Sequence, residues 1–178
     1  MTWVREQSQK VLDHGYVKLV DWMGSDEAIV ESARMSTGRG FEGWEKDAKL
    51  LAHLYASRHT TPFECGGELM IEISCPIFVF REWVRHRTQV HCEMSARYVQ
   101  MPNEHYLPEV ERIQAQSKSN KQGSAEALDA EVAAICIADL RLDQENVYTS
   151  YENHLGRGVS KEIARVNTPV SRYTRVRA

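Results

Sequence analysis

Four arginines and two histidines crowd the segment Arg81-Glu-Trp-Val-Arg-His-Arg-Thr-Gln-Val-His-Cys-Glu-Met-Ser-Ala-Arg-Tyr98 against two glutamates. In a chain with a formal net charge of −3 this is a local cationic island. Guanidinium groups are planar and bidentate, so such a segment suits the capture of phosphate. Read as a helix from Ile77 to about Arg87, it puts Arg81 and Arg85 on one face and turns Trp83 and Val84 towards a core. Ser95 adds a hydroxyl and Arg97 a further guanidinium, and each charge-assisted bond to phosphate contributes roughly 1.5–3 kcal/mol. The same residues also read as a solvated basic face paired with Glu82 and Glu93, and composition leaves both readings open. Zinc fits poorly, because His86, His91, Cys92 and Glu93 do not converge at tetrahedral spacing. A Cys92–His91 nucleophile pair fails because sequence neighbours seldom reach the hydrogen-bond geometry that thiol activation needs.

The elements that must position this segment are legible in part. Tyr16 to Met23 reads as a strand ending at Gly24. Ser25 then caps a helix that carries Asp26 and Glu27 in its first turn and runs towards Ser36. Trp44 to Arg58 is a second helix, with Ala48, Leu51, Ala52 and Tyr55 at helical spacing. A loop over His59 to Gly67 leads into the strand Glu68–Ser74, whose Leu69, Ile71 and Ile73 share one face. Pro76 suits the first turn of the arginine-bearing helix. Gln116 to Ser124 is a polar loop. Ala125 to His154 is a long helix with a stripe of Leu128, Ala133, Ile135, Leu140, Val147, Tyr151 and Leu155. Gly156 and Gly158 end it, and Ser160 caps a short helix through Arg165. The expected architecture is α+β: a small antiparallel sheet flanked by helices, with one long helix in the second half. Residues 1–178 read as a single domain.

The bulk properties agree with that size. At 178 residues and 20.4 kDa, with 42% hydrophobic and 26% charged residues, the chain buries enough surface to need neither disulfide nor metal. A pI near 6.2 argues against a nucleic-acid polymer as partner. The most apolar stretch, Leu69 to Val84, is broken by Glu72, Pro76, Arg81 and Glu82, so no membrane span is expected. Met1 to Glu6 lacks the apolar run of a signal peptide. Cys65, Cys75, Cys92 and Cys136 form no Cys-x-x-Cys pair and read as reduced thiols of a cytoplasmic protein.

Arg85-His86-Arg87, seven residues, then Ser95 resembles the Arg-His-Arg-x7-Ser signature of the flavin-dependent thymidylate synthases. Other segments resemble the family in order: Ser32-Ala-Arg-Met-Ser36, His59-Thr-Thr-Pro-Phe-Glu64, Pro76-Ile-Phe-Val79, Ser95-Ala-Arg-Tyr98, Glu162-Ile-Ala-Arg165, and Pro169 to Tyr173-Thr174. The resemblance spans Tyr16 to Arg175.

It implies reductive methylation of deoxyuridylate (dUMP) to thymidylate, with FAD as cofactor, NADPH as reductant, methylenetetrahydrofolate as carbon donor, and a homotetramer sharing its sites. Carried over by position, Ser36, His59, Thr61, Glu64, Arg85, His86, Arg87 and Thr88 would lie along the flavin. Glu82, Glu93, Met94, Ser95, Ala96, Arg97 and Arg165 would hold the nucleotide. A cation beside the flavin would also stabilise its anionic reduced form. Ser95 is assigned to phosphate binding, since no neighbouring base would make it a nucleophile; no catalytic residue and no metal ligand is assigned. Three departures stand out. Glu82 occupies a position where the family often has Gln, and Cys65 one where it often has His. The chain also reads as shortened at its C-terminus, where Arg172, Arg175 and Arg177 suggest an exposed basic tail. These departures leave two alternatives in view: a related flavin-dependent hydroxymethylase acting on dUMP, and a non-catalytic nucleotide- or flavin-binding relative.

Overall fold

A computed structural model describes residues 4–178, so the first three residues of the amino-terminal stretch lie outside it. Local chemistry sets most element boundaries. After β1 (Ser8–Val11) and β2 (Gly15–Gly24), α1 (Asp26–Arg34) starts where the Ser25 hydroxyl accepts from the Ala28 N–H at 3.2 Å. A 3₁₀ turn (Met35–Thr37) follows, then α2 (Trp44–Ala56). The expected loop after it contains a short helix, α3 (Thr61–Gly66), because Pro62 is pre-set for a first turn and the Thr60 carbonyl accepts from Phe63 and Glu64 at 2.9 and 3.1 Å.

β3 (Gly67–Pro76) leads into α4 (Ile77–Trp83), which is four residues shorter at its end than the sequence suggests. Its ladder tightens into three-residue bonds, Arg85 to the Glu82 carbonyl and His86 to that of Trp83, so the backbone leaves the helix before the signature arginines. Arg81 and Arg85 therefore do not share a helical face, and Val84 is exposed. Next come β4 (Cys92–Glu93), a 3₁₀ turn (Val110–Arg112) and the hairpin β5 (Gln114–Gln116) and β6 (Ser124–Ala127). The long helix α5 (Ala130–Gly156) starts five residues later than expected, because residues 124–127 pair in the hairpin and Asp129 caps the helix through the Glu131 N–H at 2.9 Å. In its stripe Ala133 and Tyr151 are buried, whereas Leu128, Ile135 and Leu140 are exposed. α6 (Lys161–Ala164) and β7 (Tyr173–Arg177) complete the chain.

The result is the expected mixed fold: an antiparallel five-stranded sheet in the order β1-β2-β3-β7-β4, helices around it, and one long helix in the second half. The described residues form two compact units, 4–8 with 18–72 and 9–17 with 73–178, and β2 and β3 each run from one to the other. That passage explains why β3 does not show its expected one-face burial. Leu69 and Met70, in the smaller unit, are exposed, whereas residues 73–76 are all buried in the larger.

In the smaller unit α1 and α3 touch backbone to backbone. A Cβ on Gly66 would lie 2.6 Å from the Ile29 backbone, and a Cβ on Gly24, whose φ is +87°, would lie 1.9 Å from the Gly66 carbonyl oxygen. In the larger unit Ala96, Met101, Tyr151 and Ala164 form the core, with Tyr148, Leu155 and Val159 against it. The Tyr151 hydroxyl accepts from the Met101 N–H at 3.1 Å. Asp13 accepts from the buried Tyr173 hydroxyl and from the Leu107 and His14 N–H groups, both at 3.0 Å. Burial alone would raise the Asp13 pKa, but these three donors hold it below the ordinary carboxylate value.

Two stability predictions follow from these contacts. Gly66→Ala forces backbone apart and should cost about 1–3 kcal/mol in urea denaturation. Tyr173→Phe should cost about 1 kcal/mol near neutral pH by removing a hydrogen bond to a partly solvated carboxylate. Because Asp13 has a depressed folded pKa, its contribution is present above the ordinary carboxylate range and disappears as pH falls through the folded value. The wild-type and Tyr173→Phe melting curves should therefore converge below about pH 4.

Candidate functional site

In the larger unit a cavity of about 590 Å³ opens beside β7 and β4. Ile77 and Arg81 of α4 line it, with Glu93, Met94 and Ala96, then Glu162, Ile163 and Arg165 around α6, and finally Thr168, Val170, Tyr173 and Thr174. Strand pairing holds the acidic wall: Glu93 lies opposite Val176, and the Met94 N–H donates to the Arg175 carbonyl at 2.8 Å. The Thr174 hydroxyl donates to Glu93 Oε1 at 2.7 Å. Beyond β4 the chain turns at Ser95, whose carbonyl accepts from Tyr98 and Val99 at 3.0 and 3.2 Å. The Ser95 hydroxyl receives the Arg97 N–H at 3.4 Å, and the Arg97 guanidinium lies over the Tyr98 ring, 5.4 Å from its centroid. Glu93, Met94, Ala96 and Arg165 thus converge on one cavity from two distant segments. Glu82, Ser95 and Arg97 do not line it; Arg81 does.

Behind β7 lies Arg172, fully buried, which corrects the expectation of an exposed basic tail. Only Arg175 and Arg177 are exposed there, as alternating residues of a strand. The Arg172 guanidinium donates to the Pro102 carbonyl at 2.9 Å, meets His105 Nε2 at 3.1 Å, and lies 5.1 Å and 5.6 Å from the ring centroids of Tyr148 and Tyr151. Burial and the adjacent Arg172 charge push His105 down to about 4, so its ring is neutral and Nε2 accepts. Arg172 Nε and His105 Nδ1 are buried without a hydrogen-bond partner.

The smaller unit holds a second group of predicted residues. Ser36 sits in the 3₁₀ turn after α1, its hydroxyl on the Ala33 carbonyl at 3.2 Å. That turn is anchored by Arg34, which pairs with Glu42 at 2.9 Å and with the fully buried Asp47. The Glu42 N–H donates to the second Asp47 oxygen at 2.7 Å. A cavity of about 690 Å³ is lined by Leu54, Tyr55, Ala56, Arg58, His59, Thr60, Phe63 and Glu64. His59 and Glu64 both line it, while Thr61 starts α3 and its neighbour Thr60 does the lining. Tyr55 and Phe63 stand edge to face, 6.4 Å between centroids.

Arg85, His86, Arg87 and Thr88 line neither cavity; they are exposed in a turn that the Trp83 indole closes by donating to Gln89. Among the other residues of this larger unit's cavity, Arg81 belongs to the cationic segment that the sequence marked for phosphate, whereas Glu162 and Thr174 were given no role. Thr174 was within reach, since it belongs to the quoted Tyr-Thr motif. Among the described residues no three His, Cys, Asp or Glu side chains are grouped to hold a metal ion, and all four cysteines are free thiols. Among the described residues no helix is long and apolar enough to cross a membrane.

The larger unit thus carries a cavity lined by guanidinium and carboxylate groups, and the smaller one a cavity lined by aromatic rings and a histidine. The sequence model of the family described as "Thymidylate synthase complementing protein" matches residues 18–178. The chain is 45% identical over 168 residues to a flavin-dependent thymidylate synthase of Wolbachia pipientis wMel, covering 94% of this chain and 59% of that protein. It is 44% identical to one of Gluconobacter oxydans, covering 93% of this chain and 55% of that one. Among solved structures it resembles the UMP/dUMP methylase PolB of Streptomyces cacaoi bound with 5-Br dUMP, at a TM-score of 0.81 and 30% identity, over 94% of this chain and 72% of that one. The chain belongs to the thymidylate synthase complementing protein family, that of the flavin-dependent thymidylate synthases. It spans less than two thirds of the length of these curated relatives.

One backbone feature of the histidine-bearing cavity yields a prediction. Arg58 closes α2 at φ +54°, with its N–H on the Tyr55 carbonyl at 3.1 Å and the His59 N–H on the Leu54 carbonyl at 3.0 Å. This left-handed cap position favours glycine. Arg58→Gly should therefore raise stability by roughly 0.5–1 kcal/mol, the relief of strain outweighing the added unfolded-state entropy. Thermal melts of the two proteins check it.

Proposed function

We propose that the protein to which this chain belongs converts dUMP to thymidylate by reductive methylation. FAD is its cofactor, methylenetetrahydrofolate the carbon donor and NADPH the reductant, and the sites are shared within a homotetramer. The observation that carries this reading is the convergence of Glu93, Met94, Ala96 and Arg165 on the 590 Å³ cavity, within the size range of small-ligand sites. In this proposal Arg165, Arg81, Ser95 and Arg97 hold the phosphate by charge-assisted bonds. Glu93 accepts from a donor on the sugar or base, and the Met94 and Ala96 backbone frames the ring. Ile77, Met101, Ile163 and Val166 exclude water from one side of the base.

The residues around His59 suit a flavin: two aromatic rings, an imidazole, the Glu64 carboxylate and the Arg58 guanidinium match a planar heterocycle with polar edges and an anionic tail. Bound FAD supplies the hydride that reduces the transferred one-carbon unit. His59 and Glu64 orient the ring system and Ser36 and Thr61 border it; Arg85, His86, Arg87 and Thr88, in an exposed turn of the larger unit, are assigned to the flavin by the resemblance, in a tetramer that shares its sites. A site that accepts uridylate as well as dUMP is a second reading, favoured by the likeness to a UMP/dUMP methylase.

The test is product analysis with the full-length protein, FAD, NADPH, methylenetetrahydrofolate, and dUMP or UMP. Mass spectrometry should find thymidylate, and Arg165→Ala should raise the KM for dUMP tenfold or more, the loss of about 1.5–3 kcal/mol of a charge-assisted bond. A hydroxymethylated product would replace methylation by the related hydroxymethylase. Nucleotide binding without turnover would leave a non-catalytic relative.

A further inference from the structure

The nucleotide reading leaves open what keeps Glu93 aimed into a cavity that also holds Arg81 and Arg165. A carboxylate that shares a cavity with two guanidinium groups is drawn to pair with them, which would block the anion they are proposed to bind. The Thr174 side chain addresses this. Thr174 is 4% exposed, lines the cavity, and donates its hydroxyl to Glu93 Oε1 at 2.7 Å. As a β-branched residue in a strand, with buried Tyr173 before it, it has few side-chain rotamers, so the hydroxyl direction is set before any ligand arrives. The next residue of β7 repeats the hold on the backbone, the Arg175 carbonyl taking the Met94 N–H at 2.8 Å. Two consecutive residues of β7 thus pin two consecutive residues of the proposed nucleotide wall.

We infer that Thr174 is a positioning residue: it ties Glu93 Oε1 to β7, keeps the carboxylate away from Arg81 and Arg165, and leaves Oε2 to accept a hydrogen bond from the nucleotide. The inference rests on the nucleotide reading for its ligand but not for its geometry. Valine is the informative replacement, being isosteric and equally suited to a strand, while serine keeps the hydroxyl.

Calorimetric titration of the full-length protein with dUMP is expected to show affinity about tenfold weaker for Thr174→Val and near wild type for Thr174→Ser. In a Glu93→Ala background, Thr174→Val should have no further effect, which a general loss of packing would not reproduce. Crystal structures of wild type and Thr174→Val without nucleotide should show the Glu93 carboxylate displaced towards the arginines in the variant. Unchanged dUMP affinity in a folded Thr174→Val, a full additional loss in the Glu93→Ala background, or an unmoved carboxylate would each overturn the assignment. If wild type binds no dUMP but the carboxylate moves in Thr174→Val, the nucleotide reading falls and the role of Thr174 stands.

Discussion

A guanidinium with no exposure and no carboxylate beside it is the constraint around which the larger unit is arranged. Burying an unpaired cation is costly unless hydrogen bonds and polarisable groups replace its water. Arg172 finds a carbonyl from Pro102, the Nε2 lone pair of His105, and the faces of Tyr148 and Tyr151. The four partners come from two stretches, so solvating the one charge fixes residues 102–105, the last third of α5 and the start of β7 together. The dependence is mutual. His105 accepts only while neutral, and burial with the Arg172 charge keeps it neutral at physiological pH. The backbone reinforces the junction: Tyr173 donates to the Glu104 carbonyl at 3.0 Å, and Tyr106 to that of Ser171 at 2.9 Å. With Arg172 set, the pleat directs Thr174 and the strand partners of Glu93.

The smaller unit solves an analogous problem with opposite charges. Asp47 is fully buried, and its carboxylate is answered by the Arg34 guanidinium and the Glu42 N–H. Burial alone would raise its pKa, yet these donors hold it below the ordinary value. Removing one partner of such a pair strands the other, so the arrangement specifies the turn carrying Ser36 more than it adds stability. Close approach of α1 and α3 through Gly66 does the remaining work of fixing the helix that follows His59.

How much of this was legible in the sequence depended on the range of the determining interaction. The Ser25 cap, the strand ending at Gly24 and the helix beginning at Trp44 are local events, and the residues announce them. The late start of α5 and the early end of α4 were not legible, because hairpin pairing and a tightening ladder compete with helical periodicity that looks continuous. Burial was least legible. Arg172 reads as a tail residue because arginine is seldom buried, and hydrogen-bond partners 67 and 70 residues away, with two tyrosine rings of α5, make its burial possible. For the site, the resemblance grouped Glu82, Ser95 and Arg97 with Glu93, Met94, Ala96 and Arg165, of which the last four line one cavity, and it grouped Ser36, Thr61 and residues 85–88 with His59 and Glu64, of which the last two line the other. The sequence assigned Thr174 no role and set Arg81 on a helical face shared with Arg85, which the short helix does not form; the way α4 and β7 turn the two residues is what brings them to the cavity.

The same reasoning changes the weight of Glu82. In sequence, a carboxylate where the family often has Gln looks like a repulsive charge in a phosphate site. On α4, however, successive residues point about 100° apart. Arg81 lines the cavity and Glu82 does not. Helix phase therefore decides which of the two charges faces the cavity: the Arg81 guanidinium lies in its wall, while Glu82 is exposed outside it and solvent screens its carboxylate. An acidic residue next to an arginine of the cavity wall is then compatible with the proposed anion capture. The carboxylate that does share the cavity with Arg81 and Arg165, and whose direction decides whether they are free to bind, is Glu93.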